Sequence, residues 1–407
     1  MARADLEAGY RERFRHGGRR VGVRPGRLRI ESGDDHAVEF DGEGRLVRIE
    51  DAGTSLRTTL DLRLLRTRVE GEGPARRLVR DRGSIDDLDR LARAHAEAGR
   101  LLALAGTIDD AETLAWLRRA ARWDAAALAE DRSRLRRILD PVPVLPPDQY
   151  AALVVQLTEG CPWDRCTFCD FYRGVRHRVR SLDEVAAHVD ALLEHLGRSL
   201  ERCRRVFLGQ ANALLIPPAD LTERLDLLRD RLPQPLHAFH SFVDAFHRVP
   251  SPADLRPLRE RGLHRVHVGV ESGSPAVLEL LGKPIGASVV EELVGAFRTA
   301  GIAVGIILLV GAGGRAHADE HRRATRDLVG RLELGRGDQV HLSRLVVHEG
   351  SAYDERSRAE GLGAFTPAEL EDEETALRED LAFVRDRGVV IASYDLERIA
   401  SWSPRAG

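Results

Sequence analysis

Three of the four cysteines fall within nine residues, in the stretch LTEGCPWDRCTFCDFYRG: Cys161, Cys166 and Cys169. Thiolates are soft donors for zinc and iron–sulfur centres. Where thiols stay reduced, such a group is more often a metal or catalytic site than a disulfide framework. Free cysteine is also common in cores, but three so close together in a chain with four argue against coincidence. A structural zinc takes four closed ligands, and His177 would complete the set. An iron–sulfur cluster held by three thiolates leaves one iron open to a non-protein ligand, as catalytic metal sites require. Cys203 stands apart, at the start of CRRVFLG. It lies at the amino end of a strand-like run and reads as a packing residue.

The elements that must position the triplet are visible in the hydrophobic pattern. Apolar runs recur from about residue 150: AALVVQLT, RRVFLGQ, LHAFHSF, HRVHVGV, IAVGIILLVG and DQVHLSRLVV. Helical stretches separate them, beginning near Ser181, Pro217, Pro252, Ser274 and Ala316. Repeated strand–helix steps imply a parallel sheet, and near-continuous apolar strands imply that both its faces are covered. Six steps fall short of the eight of a complete barrel. The expected fold is therefore α/β, with a partial (β/α)6 TIM-type barrel over residues 148–350. The triplet follows the first strand directly. In parallel barrels the loops after the carboxyl ends of the strands carry the chemistry, and these cysteines lie on such a loop. His240, His348, Asp244 and Arg344, read as strand-end residues, are candidates to line a cavity there, or are structural.

Residues 1–147 read as an α+β region. Short alternating runs to about residue 70 suggest a small β-rich unit. Two helical segments follow, SIDDLDRLARAHAEAGRLLALAG with Ser84 as candidate N-cap, and DDAETLAWLRRAARWDAAALAEDRSRLRRIL. The prolines of DPVPVLPPDQ mark a linker. Residues 351–407 read as a helical extension. The net charge of −3 gives no overall pull toward nucleic acid or anionic membrane. No apolar run is long enough to span a bilayer, and the first residues lack the apolar core of a signal peptide, so a cytoplasmic location is expected. The run RERFRHGGRRVGVRPGRLR over residues 11–29 is basic. It reads as a solvated arginine-rich face more readily than as a contact for RNA.

Taken in order, these motifs resemble the radical S-adenosylmethionine (SAM) superfamily, over residues 151–350. The resemblance rests on the triplet after the first strand with Phe168 just before its last cysteine, on FLGQANAL in place of a glycine-rich turn, and on HVGVESGSPAVLELLGKP at the fourth strand. GIILLVGAGG and HLSRLVVHEGSAYDE add to it. The fourth-strand segment is similar to the branch with methylthiotransferases, elongator-type tRNA enzymes and coproporphyrinogen-oxidase-like proteins. Two features depart from the usual pattern. The gaps in the triplet are four and two residues rather than three and two, and Gln210 stands where many members carry an acid.

The resemblance implies a 4Fe-4S cluster held by Cys161, Cys166 and Cys169, whose open iron is chelated by SAM. It further implies reductive cleavage of SAM to a 5′-deoxyadenosyl radical that takes hydrogen from a substrate. In this reading Phe168 packs near the adenine, Gly209 admits the methionine moiety, Gln210 contacts its amino group, and Glu271 with Ser272 meets the ribose or ammonium. Alone, Glu271 would serve equally to cap the helix after it. The implied partners are an electron donor such as flavodoxin or ferredoxin and a substrate the sequence does not identify. No second cysteine cluster is present, which disfavours a methylthiotransferase. A non-catalytic cluster or haem carrier on this fold, or a zinc-binding structural protein, are the other readings. Residues up to about 147 match no motif and are the expected seat of substrate specificity.

Overall fold

In the N-terminal region, consecutive short runs pair with one another in chain order. The computed structural model describes residues 10–33, 35–59, 61–70, 77–80, 85–140, 142, 144–244, 249–283 and 285–394. Eight strands form one antiparallel meander: β1 (Arg11–His16), β2 (Arg19–Arg24), β3 (Arg27–Ser32), β4 (His36–Asp41), β5 (Leu46–Asp51), β6 (Thr54–Thr58), β7 (Leu64–Glu70) and β8 (Arg77–Arg80). Val21, Ile30, Val38, Phe40, Leu46 and Leu56 form its apolar side and share one core with Leu91, Leu101, Trp116 and Leu117. Those last four come from the helices α1 (Leu88–Leu102) and α2 (Ala111–Ala121); α3 (Ala125–Ile138) follows.

The meander is larger than the sequence suggests, because its strands are four to seven residues long and crowded with arginine. Ser84, the expected cap of α1, lies outside the described residues. Asp87 caps that helix, accepting from the Arg90 N–H at 2.7 Å. The second helical segment is broken in two. Asp124 accepts from the Ala127 N–H at 2.8 Å and starts α3 afresh, which a continuous apolar pattern conceals. The basic run of residues 11–29 is neutralised across the strands. Arg20 pairs with Glu31, Arg24 and Arg27 with Glu39, and Arg29 with Glu31 and Glu50.

The second compact unit is built from residues 144–189 and 204–396. Its sheet is wholly parallel, and its strands are neighbours in chain order: β9 (Leu153–Gln156), β12 (Val206–Gly209), β13 (Phe239–Val243), β14 (Leu263–Glu271), β15 (Ala303–Val310), β16 (Gln339–Arg344) and β17 (Val390–Tyr394). A two-stranded ribbon of β10 (Thr158–Glu159) and β11 (Arg178–Val179) lies between β9 and β12 in the chain. The helices are α4 (Leu182–Leu196), α5 (Pro218–Arg231), α6 (Pro252–Glu260), α7 (Pro275–Leu280), α8 (Ala287–Thr299), α9 (Ala318–Arg331), α10 (Ala352–Ala359) and α11 (Pro367–Asp380).

The six expected strands are present and in the expected order. β9 and β17 are the edges, so the sheet is an open partial barrel. The seventh strand comes from the segment read as a helical extension. GVVIASY is a short apolar run after a strongly helical one, and its pairing with β16 from Gln339↔Val390 to Ser343↔Tyr394 is non-local. Among the described residues no helix is long and apolar enough to cross a membrane.

Candidate active site

The register of the parallel strands brings their carboxyl ends to one rim. Gly209 is level with Gln156, Val243 with Val268, and Glu271 with Leu308. The loop carrying the three cysteines leaves this rim after β9 and is closed at its base by the β10–β11 ribbon, where Thr158 pairs with Val179 and Glu159 with Arg178. Arg178 Nε reinforces the closure by donating to Glu159 at 2.7 Å.

Three further ties fix the loop. The Gly160 N–H donates to Gln210 Oε1 at 2.8 Å. Trp163 Nε1 donates to the Gly282 carbonyl at 2.9 Å, and the Thr167 hydroxyl to that of Leu280 at 2.7 Å. The loop is thus moored to the end of β12 and to the turn after α7.

The three cysteines are free and half-buried. Burial raises all three thiols, Cys166 to about 11 and Cys169 to about 12, and the charges of Cys161 and Cys166 add to the rise at Cys169. They sense one another and also the rim: Cys166 feels Lys283, Glu271 and Asp244, and Cys161 feels Asp244.

The spacing bears on the kind of metal. Two thiolates on one zinc are at most about 4.6 Å apart, twice the Zn–S bond. Among the described residues, only Asp148, His267 and His341 bring three ligand atoms within 4.8 Å of one another. Cys161, Cys166, Cys169 and His177 do not. As placed, those four side chains do not gather their donor atoms as closely as one zinc ion needs.

Glu271 ends β14 with φ of 62°, an uncommon backbone for a glutamate. Such conformations persist only where the surroundings enforce them, and they gather at functional sites. Its carboxylate accepts from Lys283 Nζ at 2.7 Å, with both side chains almost fully buried. Burial opposes the Lys283 charge, but Glu271, Cys166 and Asp244 together outweigh it and the amine is held above its usual range. Gly269 makes room for the pair, since a Cβ there would lie 2.5 Å from Lys283 Nζ and 2.7 Å from Glu271 Oε1. Glu271 does not cap the following helix. Ser274 does, accepting from the Val277 N–H.

The other expected contacts divide. A Cβ at Gly209 would meet Val154 and Gln156 at only 3.5 and 3.8 Å. These are ordinary separations, so internal packing does not require the glycine. The Gln210 amide oxygen already accepts from Gly160. Phe168 is half-buried and packs against the small core cluster that includes Val277, Leu281 and Tyr353. Ser272 is fully buried, and its hydroxyl meets His321 Nδ1 at 2.8 Å and the Ser274 N–H at 3.0 Å. It shapes the turn behind Glu271.

Asp244 is at the rim and accepts from Asn212 Nδ2 at 2.9 Å. Arg344 is held by Glu374 at 2.6 Å, and His348 is exposed. His240 is not a strand-end residue. It is the second residue of β13 and is buried beside Gln149, which makes a 3.0 Å contact with its Nδ1. Cys203 is buried, ahead of β12 at that strand's amino end.

Lys283 was not among the candidates, although a signal was present. Of the 62 lysines and arginines it is the single lysine. β14 carries another. In the run Arg265, Val266, His267, Val268, Gly269, Val270, Glu271, polar residues or glycine alternate with valine, so one face of an apparently apolar strand is polar.

The fold and the site define a β/α protein whose cysteine-bearing loop opens on a charged rim. Comparison with known proteins agrees with that class. Residues 155–329 match the family described as the Radical SAM superfamily. The superfamily uses a 4Fe-4S cluster and SAM. The chain is also similar to an uncharacterized methyltransferase of Pyrococcus horikoshii, 31% identical over 157 residues that make up 36% of this chain and 31% of that protein. Coproporphyrinogen III oxidase of Escherichia coli aligns over 66% of this chain and 57% of its own, with 18% identity and a TM-score of 0.44. A radical S-adenosylmethionine methyltransferase from Kitasatospora setae aligns over 52% and 38%, with 19% identity and a TM-score of 0.39. The chain thus spans about a third of the curated relative and less than two thirds of either solved structure.

Proposed function

We propose that this chain is a radical SAM enzyme, with Cys161, Cys166 and Cys169 as the cluster ligands. The observation that carries the reading is the placement of three free thiols on one loop that is tied to the end of β12 and to the turn after α7, on the same rim as a buried Glu271–Lys283 pair. The donor set fits a cluster, since all three sulfurs come from one moored loop and no cysteine of the described barrel competes with them. When bound, a reduced 4Fe-4S cluster supplies the electron that cleaves SAM to methionine and a 5′-deoxyadenosyl radical.

The chain's own residues bind, orient and exclude water. Glu271 and Lys283 offer opposite charges side by side, complementary to the ammonium and carboxylate of an amino acid. Gly209 leaves the rim open for close approach of the methionine part. Gln210 keeps an amide group there while its oxygen ties down the cysteine loop, and Ser272 holds the turn that aims Glu271. Phe168 offers its uncovered face to the adenine. An external one-electron donor of the flavodoxin or ferredoxin kind is required, and the free thiols suit the reducing cytoplasm. Residues 148–350 form the catalytic core in this reading, with 1–147 ahead of it and 351–407 after it.

The test is anaerobic. Protein reconstituted with iron and sulfide, given SAM and reductant, is expected to form 5′-deoxyadenosine. Alanine at Cys161, Cys166 or Cys169 is expected to abolish the cluster, and Cys203→Ala to leave its iron content unchanged. A full cluster on protein that neither binds nor cleaves SAM would falsify the enzyme reading and leave a carrier.

A further inference from the structure

A second group of ligating side chains lies within the barrel unit, on the strands rather than on the rim loops. Asp148 belongs to the turn Pro147–Gln149 ahead of β9, His267 is in mid-β14, and His341 is the third residue of β16. One donor atom from each lies within 4.8 Å of the others, and His267 Nε2 is 3.8 Å from Asp148 Oδ1.

Their surroundings are unusual for buried polar groups. His267 is 0% and His341 1% exposed, yet neither nitrogen of either ring has a hydrogen-bond partner, nor has Asp148 Oδ1. Buried polar atoms are normally satisfied, and leaving one unmade is costly. Here five are left without a partner, on three residues that bring one donor atom each together. A glycine on β15 lets the two rings approach each other at this point. A Cβ on Gly305 would fall 2.5 Å from His267 Nδ1 and 3.3 Å from His341 Nε2. The other oxygen of Asp148 is fixed by Arg265 at 2.6 Å and Gln149 at 2.7 Å, the outer support that orients ligating carboxylates.

We propose that Asp148, His267 and His341 bind one divalent transition-metal ion of the zinc class. Two imidazoles and a carboxylate are a zinc donor set, with water as the fourth ligand. Arg265 offsets the Asp148 charge, so affinity rests on imidazole lone pairs, which favours zinc over calcium or magnesium. Burial lowers both imidazoles, which favours the neutral form that ligates. From the present spacing the donors must close by about an ångström to reach zinc at its usual bond lengths. The ion would fasten the turn before β9 to β14 and β16. Its role is structural and independent of SAM chemistry.

The test uses the full chain with its cluster reconstituted. After equilibration with zinc and gel filtration, about one zinc per chain is expected in addition to the cluster iron. Asp148→Asn and His341→Gln are each expected to weaken retention at least tenfold, and Cys161→Ala to leave it intact. Cobalt in place of zinc is expected to give visible d–d bands without a thiolate charge-transfer band. Zinc should raise the melting temperature of the parent but not of Asp148→Asn. Should His341→Gln fail to fold, Asp148→Asn, at a half-buried turn, decides alone. No retained zinc, retention undiminished by Asp148→Asn, or a thiolate band with cobalt overturns the site. None of these outcomes depends on whether SAM is cleaved.

Discussion

Glu271 and Lys283 are only 7% and 6% exposed and pair with each other. Replacing Lys283 by methionine strands the carboxylate, which is expected to lower stability by about 3–5 kcal/mol. The double variant with Glu271→Gln is expected to recover most of that loss in denaturant titrations. Glu271→Gln alone is expected to weaken SAM binding by about 1–3 kcal/mol, the range for a lost hydrogen bond to a charged group, with iron content unchanged.

A second residue-scale prediction concerns His95, deep in the N-terminal core beside the Ala120 carbonyl. Burial lowers it to about 4, with the backbone bond opposing. Its folded value is below the unfolded 6.5, so the unfolded state binds the extra proton. The stability His95 contributes is complete above pH 6.5 and is lost as pH falls toward 4. At pH 5 the His95→Gln variant is expected to take up about one proton fewer on unfolding, measured by the pH slope of denaturant midpoints.

At the scale of elements, most of the barrel could be read from the sequence, because buried parallel strands are apolar runs and their helices begin at Ser or Pro. The triplet's position followed from the same pattern. What escaped had physical reasons. β17 has no local partner; its pairing with β16 depends on residues some fifty positions earlier. The break between α2 and α3 is set by one capping carboxylate, Asp124, inside an otherwise helical run. His240 was misplaced by the position of β13 rather than by its type. β17 covers the edge of β16 and buries Tyr394. A chain ending at Arg387 would expose that edge. It is expected to melt earlier and to associate through the uncovered strand, measured by thermal denaturation and light scattering.

For the whole molecule, the charge of −3 conceals a composition in which arginine supplies every basic side chain but one. The N-terminal sheet uses arginine's fork to bridge carboxylates across strands, as Arg29 does between Glu31 and Glu50. Such use exploits its planar geometry and permanent charge. The lone ε-amine is sealed in the barrel unit at 6% exposure. The protein therefore carries its own reporter of opening. An amine-directed acylating reagent applied to the native chain is expected to mark the α-amino group alone, and a second label is expected only as fast as the rim around Lys283 opens. Labelling followed over time by mass spectrometry would read that opening without any engineered probe. If the second label enters at the rate of an exposed lysine, Lys283 is not sealed. A bound molecule that closes the rim should slow it.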